Sequence, residues 1–350
     1  MKIKYNFIEL KDFYNKIYNK GYINLIKNNQ HKNLDWQLIS QNSSITIDIV
    51  KNNLDLPWNW YELSSNKNMN WNIIQNNLDL PWNWNGLSSN ENITWDIIQN
   101  YLHLPWNWEE LSYNNNLTWN IILDNIDKSW DWFELSKNPN ITWNIISTNL
   151  DKPWDWSELS RHPNITWNIV EKNINYQWDW SYLSLNNNIS WNIIINNINK
   201  PWNWLYISSN INITWDIIIC NLNKPWNWCA ISKHQNITWD IIINNYNYPW
   251  CWTNISINPN ITWNIIINNI HEKWNWYNIS LNPNINWNII INNLDKPWNW
   301  TSLSYNSMDL GKNKWIKYNI KLHINKIISF RYFSKILSID ISTLICNHII

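Results

Sequence analysis

A Trp-x-Trp pair recurs every 24 residues from Trp58/Trp60 to Trp298/Trp300 without one insertion or deletion. A third Trp follows at the same interval from Trp71 to Trp287. Self-similarity at this period dictates a repeat architecture, in which a unit buries its apolar face only by stacking on its neighbours. The consensus unit reads P-W-N-W-x-E-L-S-x-N-P-N-I-T-W-N-I-I-x-N-N-L-D-K. About eleven copies are present, and Trp36 and Ser40 fall in phase, so residues 34–54 read as a worn first copy. A chain of 350 residues would otherwise suggest two or so globular domains.

Each unit reads as two short helices. Thr, Ser or Asn stands before the third Trp, as at Thr94, and such residues accept from the free N–H groups of a first helical turn. Trp95, Ile98 and Leu102 then share the i, i+3, i+7 face of one helix, and Asp96 suits its positive end. The other helix starts after Asn83 or Asp131, with Trp84 and Leu87 at i, i+3 and Pro81 or Pro153 two residues before the cap. It ends at Ser136-Lys137-Asn138-Pro139-Asn140, because Pro bars the preceding residue from helical geometry. Two turns are its upper length, so part of it is expected as 3₁₀. No sustained period-2 alternation supports strands. The expected fold is an all-α solenoid of about eleven 24-residue two-helix units, one α and one short α or 3₁₀. Stacked at ~10 Å per unit they make a rod or shallow superhelix roughly 100 Å long. Residues 1–33, with Phe7, Leu10, Tyr14 and Ile17 at helical spacing, form an N-terminal helical cap. Residues 34–304 form the solenoid. Residues 305–350 form a C-terminal cap or basic amphipathic tail, Lys-rich over 310–335 and carrying Trp315, Ile320, Ile324, Ile327 and Ile328.

The segment L-S-K-N-P-N-I-T-W-N-I-I, Leu135 to Ile146, resembles the A-x-N-P segment of the leucine-rich-repeat-variant family. That family also repeats every 24 residues and pairs an α-helix with a short 3₁₀ helix; here Ser replaces its Ala, and Trp much of its Leu and Val. Across 34–304 the Trp-dense, Asn/Ile-rich units are similar to tandem-repeat proteins of giant DNA viruses of amoebae. The resemblance implies a viral protein, in the host cytoplasm or the virion, and it adds no catalytic residue.

An AT-rich genome would supply Asn, Ile and Lys through its codons, whereas 34 Trp run against that bias, so the fold itself must hold them. Lys+Arg and Asp+Glu are both 26, and a balanced chain lacks the basic surplus that nucleic acid requires. Cys220, Cys229, Cys251 and Cys346 show no C-x-x-C spacing and read as reduced, incidental thiols in a cytoplasmic protein. The N-terminus has no uninterrupted apolar region, so no signal peptide is expected. The tail stretch ILSIDISTLICNHII, broken by Asp340, is too short and polar to span a bilayer, and a membrane is not expected as a partner.

Candidate chemistry dissolves on inspection of the repeat phases. Asp127, Asp151 and Asp295 share one phase and Asp131, Asp155 and Asp179 another, but Asn stands in both, as at Asn199 and Asn203. Capping tolerates that exchange and acid–base catalysis does not. His103 and His271 are seven units apart, His162 and His234 three, too far to share a metal, so all four read as surface histidines. Nucleotide, P-loop, nucleophile-elbow and zinc-protease motifs are missing from the sequence. Neither an enzyme nor a cofactor is expected. Every unit carries both Trp of the pair, which fits core packing better than an exposed sugar or nucleic-acid platform. The third Trp, Trp167 among them, is expected to be buried. Recurring Ser136, Asn138 and Asn140 are expected to form a hydrogen-bond ladder between units and to accept from the indole N–H groups. Glu62, Glu110, Glu134 and Glu158 read as a solvated ridge, with Glu134–Lys137 and Glu158–Arg161 as i, i+3 pairs. Gln75, Gln99 and Glu171 of one phase give way to Ile195, Ile219, Ile243, Ile267 and Ile291, an apolar strip expected at the core edge or outer face and a candidate partner-binding strip. The expected function is a non-enzymatic scaffold for an unidentified protein partner; the alternative is a self-associating virion or fibre component.

Overall fold

A computed structural model of the chain describes residues 7–306, 308, 312–324 and 326. The described residues hold 25 helices and no strands. After α1 (Phe7–Asn28), twelve first helices alternate with eleven second helices, from α2 (Trp36–Gln41) and α3 (Ile47–Lys51) to α23 (Trp287–Ile291) and α24 (Trp300–Tyr305). A last helix covers 312–324. From α4 on, first helices open on the second Trp of each pair and second helices on the third Trp, while α2 opens on the unpaired Trp36 and α3 on Ile47; both kinds are α-helical. The Asn or Asp before a first helix caps it through its side chain, as Asp155 accepts the Glu158 N–H at 2.8 Å.

The array is not an open rod. Two hydrogen-bond ladders run from unit to unit, and both continue across the chain ends. In the first, a buried Ser such as Ser136 donates from Oγ to the Trp132 carbonyl at 2.7 Å and accepts the N–H of Asp155, which opens the next unit, at 2.9 Å. The last Ser of the series, Ser304, accepts the N–H of Asp35 at 3.0 Å. In the second ladder, Asn66 Nδ2 donates to the Asn42 carbonyl one unit back at 3.2 Å, and the step recurs around the chain to Asn306 on Asn282. Asn42 Nδ2 in turn donates to the Asn306 carbonyl at 3.2 Å. Twelve units therefore close a ring, which requires a turn of about 30° at each.

That turn comes from the unequal sides of the unit. Neighbouring first helices meet through Ser and the fully buried Leu of L-S, so their backbones approach closely. The approach is tightest between Trp60–Ser65 and Trp84–Ser89, where a Cβ on Gly86 would collide with the Tyr61 carbonyl. Second helices stand further apart, separated by indoles, as where Trp191 stacks on Trp226 at 5.6 Å. The first helices thus line the inner circumference and the second the outer. Gln41, Ser65, Ser89, Tyr113 and Tyr305, from five consecutive units counted across the seam, face one cavity of about 470 Å³ on the inner wall. Helices run across the direction of stacking, so loops after first helices lie on one face of the ring and loops after second helices on the other.

Chain ends build the twelfth unit between them: α24 supplies its first helix and α1 its second. Lys27 Nζ donates to Asn53 Oδ1 at 2.9 Å, as Lys51 does to Asn77 one unit on, and Asn29 and Asn53 both bond the carbonyl four residues earlier. The buried face of α1 is Leu10, Tyr18, Tyr22, Leu25 and Ile26, while Ile17 points outward. Helix 312–324 lies along α1, with Ile316 and Ile320 on Leu10 and Trp315 edge-on to Tyr14. Ile324 is exposed; Ile327 and Ile328 lie outside the described residues.

Within a unit the deepest indole is the first of the pair. Trp178 is buried and donates Nε1–H to the Asn173 carbonyl at 2.8 Å. Backbone carbonyls, and not the Ser and Asn side chains, accept these indole protons, because the ladders already use those side chains. Third Trp residues such as Trp167 are half-buried against the core rather than buried within it. Glu62, Glu134 and Glu158 are buried between first helices and do not form a solvated ridge, although the Lys137–Glu134 pair forms at 2.6 Å.

His162 and His234 are likewise interior, because they stand in the Asn ladder. Each imidazole reproduces two of the bonds that an Asn makes in this ladder, one donated to the carbonyl 24 residues back and one accepted from the N–H two residues on. His162 Nε2–H donates to the Asn138 carbonyl at 3.0 Å and Nδ1 accepts the Asn164 N–H at 3.1 Å. His234 does the same with Asn210 and Asn236. Burial pushes both below the ordinary 6.5, outweighing the backbone hydrogen bond. Above pH 6.5 both states are neutral and the fold keeps its full stability. Below it the unfolded chain takes up protons first, so stability is lost towards the lower folded values. Melting temperature is expected to fall between pH 7 and 5.5. In His162→Asn/His234→Asn that slope should flatten; an unchanged slope would place the titrating groups elsewhere.

Candidate functional site

The loops after the second helices carry the most exposed apolar side chains of the ring. At the end of a second helix, Asn125 Nδ2 donates to the Ile121 carbonyl at 2.9 Å, while its own carbonyl accepts Trp130 Nε1–H at 2.8 Å. Held from both sides, Asn125 turns the next residue, Ile126, outward. The same construction recurs in most units; at Tyr101 only its carbonyl half remains, accepting Trp106 Nε1–H at 2.9 Å. From Leu54, Leu78 and Leu102 round to Ile270 and Leu294, eleven side chains in this phase are 37–69% exposed. Gln30 occupies the twelfth position and is also exposed. This row was missed in the sequence because Leu102 counts as i+7 on a helix that in fact ends at Asn100.

The strip read from the sequence adjoins this row three residues earlier on the second helices. Ile219, Ile243, Ile267 and Ile291 are 36–47% exposed, while Ile195 is half-buried. The two rows together make the face apolar over the C-terminal half of the ring. Exposed charge interleaves them: Asp127, Asp151 and Asp295 pair with the following Lys at 3.0, 3.0 and 2.8 Å. The Lys side-chain hydrogen bonds hold these carboxyls below the usual range. Lys128 and Lys200 also lie over Trp108 and Trp180.

Chemistry has no comparable focus. Asp131, Asp155 and Asp179 cap first helices. His103 and His271 are exposed and far apart in the ring. Among the described residues no three His, Cys, Asp or Glu side chains gather as metal ligands, and no helix is long and apolar enough to cross a membrane. The chain matches no protein-family model, no curated protein and no solved structure.

Proposed function

We propose that the protein is a non-enzymatic ring scaffold whose docking surface is the apolar face, and that its occupant is a second copy of the same ring. The carrying observation is the periodicity of the exposed row, one apolar side chain per unit around eleven of twelve units. A globular partner would cover an arc of it, whereas a facing ring repeats at the same interval and covers all of it. At roughly 80 Å² apiece the eleven side chains offer about 900 Å² per ring, so two rings would bury about 1,800 Å², the size of a stable interface. A lone ring would leave open more apolar surface than monomers usually expose. Asp–Lys pairs within the rows supply both charges for self-complementary contacts. The virion or host-cytoplasm setting implied by the giant-virus resemblance accommodates such a component.

Light scattering tests the proposal. At tens of micromolar the parent is expected at twice the 42.7 kDa chain mass. Leu78, Leu150, Leu222 and Leu294 stand at quarter-turns of the ring and are exposed. Changing all four to Glu should give the single-chain mass with an unshifted melting curve. A parent that stays at the single-chain mass, or a quadruple variant that still pairs, would contradict the docking face.

A further inference from the structure

Of the twelve residues that precede first helices, eleven are Asn or Asp, and each accepts a backbone N–H through its side chain. The twelfth is Cys251, which makes no such bond. The unit gives up its cap there, and folding gains nothing in return. The residue 22 positions earlier explains the exchange. In three other units the two positions are hydrogen-bonded across the joint between units. Asn107 Nδ2 donates to Asn85 Oδ1 at 3.1 Å, Ser157 Oγ to Asp179 Oδ2 at 3.1 Å, and Asn203 Nδ2 to Ser181 Oγ at 3.2 Å. For Cys251 that residue is Cys229. Both are free thiols; Cys229 is exposed and Cys251 partly so. The neighbouring Cys251 thiol, together with burial, pushes Cys229 above the ordinary thiol value.

We propose that Cys229 and Cys251 form an oxidation site, a dithiol that peroxide converts to a disulfide joining adjacent units. The Cys251 thiolate sulfur attacks one oxygen of hydrogen peroxide; the O–O bond breaks and the departing hydroxide is protonated to water. Cys251 is then a sulfenic acid. Cys229, which holds its proton until this point, attacks the Cys251 sulfur; the S–O bond breaks and hydroxide leaves with that proton as a second water. Two thiols lose two electrons to one peroxide. The product staples the joint between Trp228–Ser232 and Trp252–Ile257, so oxidation stiffens one place in an otherwise uniform ring. This site stands independently of the apolar docking face.

Stoichiometric hydrogen peroxide followed by peptide mass mapping under non-reducing conditions tests the site. A single chain lighter by two hydrogens is expected, with one linked peptide pair containing Cys229 and Cys251. It should form faster than exposed Cys220 is modified. Cys251→Asn should abolish the linked pair and, by restoring the cap, raise the melting temperature of the reduced protein. Sulfenic or sulfinic acid accumulating on Cys229 without a link, or disulfides only between chains, would overturn the proposal.

Discussion

Gly21→Ala is expected to open the ring. Gly21 faces Trp287 where α1 takes its place as the twelfth second helix, and a methyl group there would stand 2.7 Å from the Trp287 Cε2 atom. The indole has no room to yield, since Tyr18 and Trp315 hold it at 5.6 and 6.1 Å between ring centres. Gly within a helix ordinarily costs about 1 kcal/mol relative to Ala, so at an unconstrained position the substitution would stabilise the protein. Here overpacking is expected to reverse the sign, at about 1–3 kcal/mol, concentrated at the seam. Denaturation should show the loss, and small-angle scattering a larger radius of gyration. A stabilised variant with an unchanged radius would mean that α1 does not sit on Trp287.

Trp178→Ala carries the second large effect. Its indole is buried, meets Trp156 edge-on at 5.2 Å and lies tilted against Trp143 at 5.7 Å between ring centres. Truncation leaves a cavity between units and is expected to cost about 3–5 kcal/mol. Trp178→Phe keeps most of the apolar contact but removes one of the two hydrogen bonds to the Asn173 carbonyl, which retains the Tyr176 N–H, a loss of about 0.5–1.5 kcal/mol. Trp167→Ala should cost less than Trp178→Ala, since Trp167 is only half-buried. Denaturant titrations of the three variants check the order. If Trp167→Ala proved the most damaging, the core would centre on the second helices instead of the paired Trp.

What was legible in the sequence is what short stretches of chain decide. The 24-residue period, the helix starts at Trp and the capping roles of Asn83, Asp131 and the other Asn and Asp residues in that position depend on neighbours a few residues apart and stand as read, whereas Thr94, expected to cap a second helix, makes no side-chain cap bond. Curvature was not legible. It depends on the difference in spacing between the Ser-lined and indole-lined sides of the stack, a small angle per unit that only closure makes visible. Closure itself rests on contacts between residues as distant as Asn33 and Thr301. Two signals lay in the sequence unused. INLIK at 23–27 matches IDIVK at 47–51 in phase, which marks the end of α1 as a second helix. His162 and His234 stand in a column otherwise filled by Asn, which marks them as ladder members and not surface residues. The apolar row was hidden for a different reason: helical periodicity runs on past Asn100, but the chain does not.

Closure of the ring is the claim on which the rest depends, and one cross-link tests it most directly. Asn33 and Thr301 exchange two hydrogen bonds at the surface of the seam, at 3.1 and 3.0 Å. With the four native cysteines replaced by Ser, Asn33→Cys/Thr301→Cys should oxidise within single chains to a disulfide enclosing nearly the whole array, and the reduced and oxidised forms should have the same secondary structure. In an open array those residues would lie about 100 Å apart. Failure to cross-link, or cross-links only between chains, would contradict the ring.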